Sequence, residues 1–342
     1  MKAVRFHEHG GPEVLRVEEV LDPALGDDDV LVRVRSCALN HFDIDLRENL
    51  SRWPLPLPWI LGLEFAGDVA SVGRNVRGLS EGERVWVLHE LPCLVCEHCL
   101  AGEDNLCLAA QMWSVQKPGG YAEYVAAPAR AVFPLPDSIS YDEAAAGQIV
   151  FTTAWHMLVT RGRITAGDTV LVSAAGSGVG HAALQVAKLA GATVIATAGS
   201  DEKLTSARAD GADHTINYNR DQVTATALEL TGGRGVDLVV EHVGGEQFGS
   251  CLGALRKNGR LVTCGGHAGE VVDFDIVPFF RNEWQVIGSR TGTTKEVRLV
   301  MDLIAAGSLH PRVHAALSLE DAAEAHRILE NREHFGKLVL NP

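Results

Sequence analysis

"DTVLVSAAGSGVGHAALQVAKLAGATVIATAGSDEKL", residues 168–204, runs from an apolar strand through a glycine-rich turn and an amphipathic helix into a second apolar strand. Small residues in "SAAGSGVG" (173–180) let the backbone approach a pyrophosphate closely. The helix that follows offers unpaired N–H groups and the positive end of its dipole at the same place. The strict G-x-G-x-x-G pattern is not present: aligned on Gly180, its first two glycines fall on Ala175 and Ser177. Taken alone, the turn is either a dinucleotide cradle or close packing of helix on strand, because small residues serve both. As a cradle it consists of Ala175, Gly176, Ser177, Gly178, Val179 and Gly180.

The end of the second strand bears on which nucleotide is bound. An NAD site places an acid there to accept from the ribose 2′-OH. Here Ala198 stands in that position, followed by Gly199, Ser200 and Lys203. A hydroxyl and an ammonium suit a 2′-phosphate, and hence NADPH. The competing reading makes Ser200 a helix cap and Lys203 a solvated charge.

Further strands are expected in "GVDLVVEHVG" (235–244), "GRLVTCGG" (259–266) and "WQVIGS" (284–289), with helix-like stretches at 220–230 and 246–256 between them. That alternation predicts an α/β unit, a doubly wound parallel sheet with helices on both faces. The first half differs. "VLVRVRSCAL" (30–39), "LEFAGDVASVG" (63–73), "ERVWVL" (83–88) and "GYAEYVAAP" (120–128) predict a β-rich domain. "ISYDEAAAGQIVFTTAWHMLV" (139–159) turns helical and leads into the second domain, and the strand-helix-strand pattern ending in "GKLVLNP" returns to the first. The expected division is 1–149 with 310–342, and 150–309.

Residues 93–107, "CLVCEHCLAGEDNLC", hold Cys93, Cys96, Cys99 and Cys107 at the spacing C-x2-C-x2-C-x7-C, in a lobe spanning about 90–110. Four thiolates fill a tetrahedral zinc shell and leave no position open for water or substrate, so the site reads as a structural staple. Cys37, Cys251 and Cys264 lie apart in apolar or turn contexts and read as inert thiols.

Composition narrows the classes. The 342 residues suit two domains, and 46% hydrophobic with 22% charged residues is ordinary for a soluble protein. A net charge of −14 argues against nucleic acid or an anionic membrane surface as partner. "MKAVRFHEHGGPEVL" has charges where a signal peptide needs an apolar core. The expectation is a soluble cytoplasmic protein, where reduced thiols favour metal over disulfides.

Over essentially its whole length the sequence resembles the medium-chain dehydrogenase/reductase superfamily, with its zinc-type alcohol dehydrogenases and quinone oxidoreductases. The resemblance rests on the four-cysteine lobe, "ILGLEFAGDVASVG" (60–73), "GGYAEYVAAP" (119–128), the 168–204 stretch and "HFGKLVL" (334–340). It implies a GroES-like catalytic domain, a Rossmann cofactor domain, a small-molecule substrate held in a cleft between them, and a homodimer or homotetramer. It implies contacts of Tyr218 and Arg332, with Ser200 and Lys203, to a 2′-phosphate, and of Val243 and Gly265 to the cofactor.

The departures carry as much information. Zinc alcohol dehydrogenases hold a catalytic zinc at positions that here read Asn40, Leu63 and Ile149. Leucine and isoleucine are not ligands, and catalytic zinc needs three protein ligands. What remains nearby is Asp43 and Glu64. "ALNHFD" (38–43) is similar to the quinone-oxidoreductase branch, whose Asn and Asp line the nicotinamide pocket.

The expected catalytic set is Asn40 as donor and Asp43 orienting it, with His41 and Glu64 as candidates. Asn40 could instead cap a helix, His41 could be structural, and Glu64 could be a buried supporting acid or a relic of the metal site. The activity expected is NADPH-dependent hydride transfer to an activated C=C bond or a quinone, with a single structural zinc. The alternatives are an alcohol or aldehyde dehydrogenase with an improvised metal at Glu64, Asp43 and His41, and a non-catalytic NADPH-binding protein.

Overall fold

The computed structural model describes residues 1–342 and divides into two units, Met1–Ile149 with Val297–Pro342, and Val150–Glu296. Residues 297–309, expected with the second domain, group with the first. The helix Thr294–Ala305 accounts for this, since it buries Val297, Val300, Met301 and Ile304. Gly147 leaves room for it: a Cβ there would meet Ile304 Cδ1 at 2.7 Å and Pro311 Cγ at 2.8 Å.

In the second unit six parallel strands lie in the order His214–Asn217, Thr193–Ala198, Thr169–Val172, Val236–Glu241, Leu255–Thr263, Gln285–Gly288. In chain order this is third, second, first, fourth, fifth, sixth, the doubly wound arrangement whose order reverses beside the first strand. The central strands "TVLV" and "VDLVVE" are buried almost throughout, as strands covered on both faces must be. Leu171, Ile195, Ile216, Val239 and Leu261 pack with Phe248 and Leu252 in one core. The helix Gly178–Leu189 rests tightly on the sheet because Gly180 has no side chain: a Cβ would lie 2.3 Å from the Ala174 carbonyl oxygen.

The first unit is built on a seven-stranded sheet in which Asp29–Ala38 pairs antiparallel with Glu64–Val72, Tyr124–Pro128 and Lys337–Asn341. The last strand thus threads the C-terminal chain beside Leu39 and Asn40. A small second sheet, Arg16–Glu19, Lys2–Phe6 and Trp59–Ile60, was not foreseen from the sequence. Its strands are short, and one is only two residues long, too short to show a period of two. No helix is long and apolar enough to cross a membrane.

Candidate active site

The first unit's site begins where the strand Asp29–Ala38 gives way to the helix His41–Arg47. Asn40 is the N-cap residue of this helix and forms a capping box with Asp43. Asp43 supplies the reciprocal contact, its Oδ2 accepting from Asn40 N at 2.8 Å, while its Oδ1 accepts from Gly62 N at 3.2 Å. Burial pushes the Asp43 carboxyl up to about 7, against the pull of those two N–H groups and of Lys337.

The Asn40 side chain is committed to a buried ion pair. Lys337 Nζ lies 2.7 Å from Glu64 Oε1, 2.7 Å from Asn40 Oδ1 and 2.5 Å from the Leu39 carbonyl oxygen. An ammonium has three protons, and all three are used. Glu64, fully buried, also accepts from Asn40 Nδ2 at 3.1 Å through Oε1 and from Ile149 N at 2.8 Å through Oε2. Because a lysine can only donate, Asn40 must turn its oxygen toward Lys337 and keep its N–H groups for Glu64 and for whatever approaches from solvent.

Lys337 was missed in the sequence, although "HFGKLVL" was singled out. The available signal was a lone cation inside an apolar strand, which is costly unless paired. His41, the first residue of the helix, is partly exposed. Leu63 is buried and Ile149 partly exposed, and both are apolar.

Behind Asp43 runs a second buried chain. Arg47 Nη1 lies 2.9 Å from His326 Nδ1, and His326 Nε2 lies 3.3 Å from Tyr121 Oη, which bonds to Asp43. Arginine only donates, so His326 accepts at Nδ1 and carries its proton on Nε2. The Tyr121 hydroxyl then donates to Asp43. Arg47 is anchored in turn by Glu330 and Glu48 at 2.5 Å each. Neither Arg47 nor His326 was anticipated.

In the four-cysteine lobe every ligand sulfur lies within 4.8 Å of the others, and Cys93 Sγ and Cys99 Sγ are 3.9 Å apart. A tetrahedron with Zn–S of about 2.3 Å has edges of about 3.8 Å, so the spacing fits the metal. Backbone N–H groups of Val95 and Cys96 lower the Cys93 thiol, and those of Cys99 and Leu108 bring Cys96 down to about 6.

In the second unit the expected cofactor residues converge. Ser177 caps the helix Gly178–Leu189 by accepting from Gly180 N, and Ser200 caps Asp201–Ala209 by accepting from Lys203 N. The Lys203 stem crosses Gly176, where a Cβ would meet its Cδ at 2.8 Å, and the Tyr218 ring lies against Gly199 in the same way. Gly176, Gly199, Ser200, Lys203 and Tyr218 therefore frame one patch beside the turn of Ala175–Gly180. Val243 N is held by Glu241 Oε1 at 2.7 Å, and Gly265 packs on the His242 carbonyl. Arg332 lies in the first unit, following the helix Ala322–Glu330, with φ of 58°.

Comparison with known proteins decides the family. Residues 26–137 match the family described as alcohol dehydrogenase GroES-like domain, and residues 178–306 match that described as zinc-binding dehydrogenase. An NAD-dependent alcohol dehydrogenase of Sulfolobus acidocaldarius is 32% identical, over 99% of both chains. The chain belongs to the medium-chain dehydrogenase/reductase superfamily, and it is an oxidoreductase of that family. Human quinone oxidoreductase is 28% identical over 99% of this chain and 97% of its own. Among solved structures, an NAD-dependent alcohol dehydrogenase shares 42% identity with a TM-score of 0.96, covering 100% of both chains. Escherichia coli quinone oxidoreductase complexed with NADPH shares 29% with a TM-score of 0.84, again over 100% of both. The GroES-like and Rossmann architecture thus stands, while the relatives divide between two chemistries.

Two predictions follow from the buried networks. Lys337→Met leaves the Glu64 carboxylate buried without its cation and should cost about 3–5 kcal/mol in chemical denaturation. Adding Glu64→Gln should return part of that loss; if the single variant is as stable as wild type, the pair does not hold the site together. The second concerns pH. Burial, then the charge of Arg47, hold the His326 imidazole down to about 3, whereas in the unfolded chain it takes a proton near 6.5. Between those values the unfolded state binds more protons, so stability falls as pH drops from about 6.5 toward 3, with a slope approaching about 1.4 kcal/mol per pH unit. Denaturation across that range should show a smaller acid loss in His326→Gln than in wild type.

Proposed function

We propose that this protein is a soluble cytoplasmic reductase that uses NADPH to reduce an activated C=C bond, as in an α,β-unsaturated carbonyl, or a quinone, and that its zinc is structural only. The observation that carries the reading is the orientation of Asn40. Its one acceptor oxygen is bonded to Lys337 at 2.7 Å, so what it can offer a substrate is N–H. Leu63 and Ile149 at the other two positions bring no ligand atom. Those three positions do not supply the three protein ligands of a catalytic zinc.

A reduced nicotinamide, when bound, supplies the hydride. The residues of this chain then have to meet the negative charge that appears on the substrate oxygen. A hydrogen-bond donor aimed at such a charge is worth about 2.7–4 kcal/mol. That is small help for an isolated alkoxide. It goes further for an enolate or hydroquinone, whose charge is already spread over several atoms. The Lys337–Glu64 pair keeps Asn40 in one orientation, and Asp43 fixes its backbone. The enolate carbon, or the hydroquinone oxygen, then takes its proton from solvent, so no strong acid is required.

For the nucleotide, Ser200, Lys203 and Tyr218 support NADPH, as does the lack of an acid at Ala198. The four sulfurs of Cys93, Cys96, Cys99 and Cys107 would hold one zinc and give a folded state to a lobe that exposes Leu94, Val95, Leu100 and Leu108. The strand Gln285–Gly288 has a neighbour on one side only, and Val286, Ile276 and Phe280 are exposed near it. An open edge beside apolar side chains supports a homodimer formed by pairing these edges.

The decisive assay offers zinc-replete protein, NADPH or NADH, and two substrate panels: enones and quinones, or saturated ketones and aldehydes. NADPH oxidation is expected with the first panel and little with the second, with one zinc per chain by elemental analysis. Lys203→Ala should erode the preference for NADPH about tenfold or more. Chelator-sensitive turnover of simple alcohols, with two zincs per chain, would instead establish the dehydrogenase reading. Sedimentation should give twice the chain mass, and Val286→Asp a single chain; a wild-type monomer refutes edge pairing.

A further inference from the structure

The sheet of the second unit reverses its order between the strands Thr169–Val172 and Val236–Glu241, and ligands of such sheets bind in the crevice beyond that point. The loops leaving these two strands carry Ser177 and His242. Ser177 Oγ and His242 Nε2 are 2.8 Å apart, and Ser177 Oγ also accepts from Gly180 N at 3.0 Å. His242 Nδ1 is buried with no partner. Its loop is held still from below, because fully buried Glu241 accepts from Val243 N at 2.7 Å and Gly244 N at 2.9 Å and is bonded by Thr263.

One hydrogen lies between Ser177 and His242, and two arrangements are open. If His242 carries its proton on Nδ1, a buried N–H is left without an acceptor. If the proton is on Nε2, only a lone pair is left over. Orphaned buried N–H groups are the rarer and costlier of the two. His242 therefore donates from Nε2, and Ser177 Oγ accepts twice, from His242 and from Gly180. The serine's own proton must then point away from both.

Ser177 is partly exposed at the mouth of the turn. Beside it, the first N–H groups of the helix, those of Gly178 and Val179, have no acceptor within the helix. We propose that His242 makes the Ser177 hydroxyl a dedicated donor to a pyrophosphate oxygen of the bound dinucleotide, adding a third donor to the two backbone N–H groups of the turn. This rests on reading the turn as the dinucleotide site. It also explains the serine: the position forgoes the close backbone approach of the glycine in the strict pattern and gains a hydrogen bond. Burial holds His242 down to about 4, so it stays neutral and the arrangement persists through the physiological range.

The test has two arms on the full-length, zinc-replete protein. In the first, nitrogen chemical shifts of labelled histidine, assigned through His242→Gln, give the tautomer without any nucleotide. The expected form carries the proton on Nε2; a proton on Nδ1 overturns the proposal. In the second, calorimetry measures NADPH and NADH binding to wild type, Ser177→Ala and Ser177→Thr, each first checked for a native thermal transition. Ser177→Ala should weaken both nucleotides about tenfold, leaving their ratio unchanged because the pyrophosphate is common to both. Ser177→Thr, which keeps the hydroxyl and the cap, should bind within about twofold of wild type. Equal binding by Ser177→Ala and wild type refutes the donor role. A wild type that prefers NADH leaves this proposal standing and removes only the 2′-phosphate reading. A wild type that binds neither nucleotide removes the cofactor reading and this proposal with it.

Discussion

A buried ammonium and a buried carboxylate hold the first unit's site in one arrangement. Lys337 and Glu64 come from strands far apart in sequence and meet at 2.7 Å with almost no exposure to water. Either charge alone would be costly there, and even the pair is worth little unless its remaining hydrogen-bonding capacity is met. It is met fully, by Leu39, Asn40 and Ile149. The consequence reaches the chemistry, because the same bonds that satisfy the pair leave Asn40 only one way to face. A lysine at this place makes the neighbouring amide a donor.

The second unit depends on close backbone approach. Gly180 lets the helix Gly178–Leu189 sit on its strand, which brings the helix N-terminus to the reversal point of the sheet. Gly265 does the same for the loop after Leu255–Thr263, packing on the His242 carbonyl. Glu241 then ties down the loop that follows its strand. Three loops from three strands converge, and small residues are what allow it. Where the turn departs from the strict glycine pattern, at Ser177, a partner is waiting on the neighbouring loop.

The relatives span two activities on one scaffold. The four-cysteine lobe stands apart from that choice. It exposes much of its apolar content, and its four sulfurs lie close enough together to hold a metal ion.

Local pattern was enough for much of this. The strand-turn-helix-strand run at 168–204, the cysteine spacing and the apolar runs of the parallel sheet depend on neighbours within about forty residues, and each was readable in the chain itself. So were the apolar residues at Leu63 and Ile149. What local pattern could not show were pairings made only when distant segments meet: Lys337 with Glu64, Arg47 with His326, Ser177 with His242. Each is a buried or partly buried polar contact whose partner lies far along the chain, and nothing in composition or periodicity says which polar residue will meet which. From Val297 on, the helix Thr294–Ala305 went to the first unit for the same reason, because its Ile304 found Gly147. Identity and spacing of residues named the parts, and the direction of each hydrogen bond, which sets what those parts can do, came only from the folded chain.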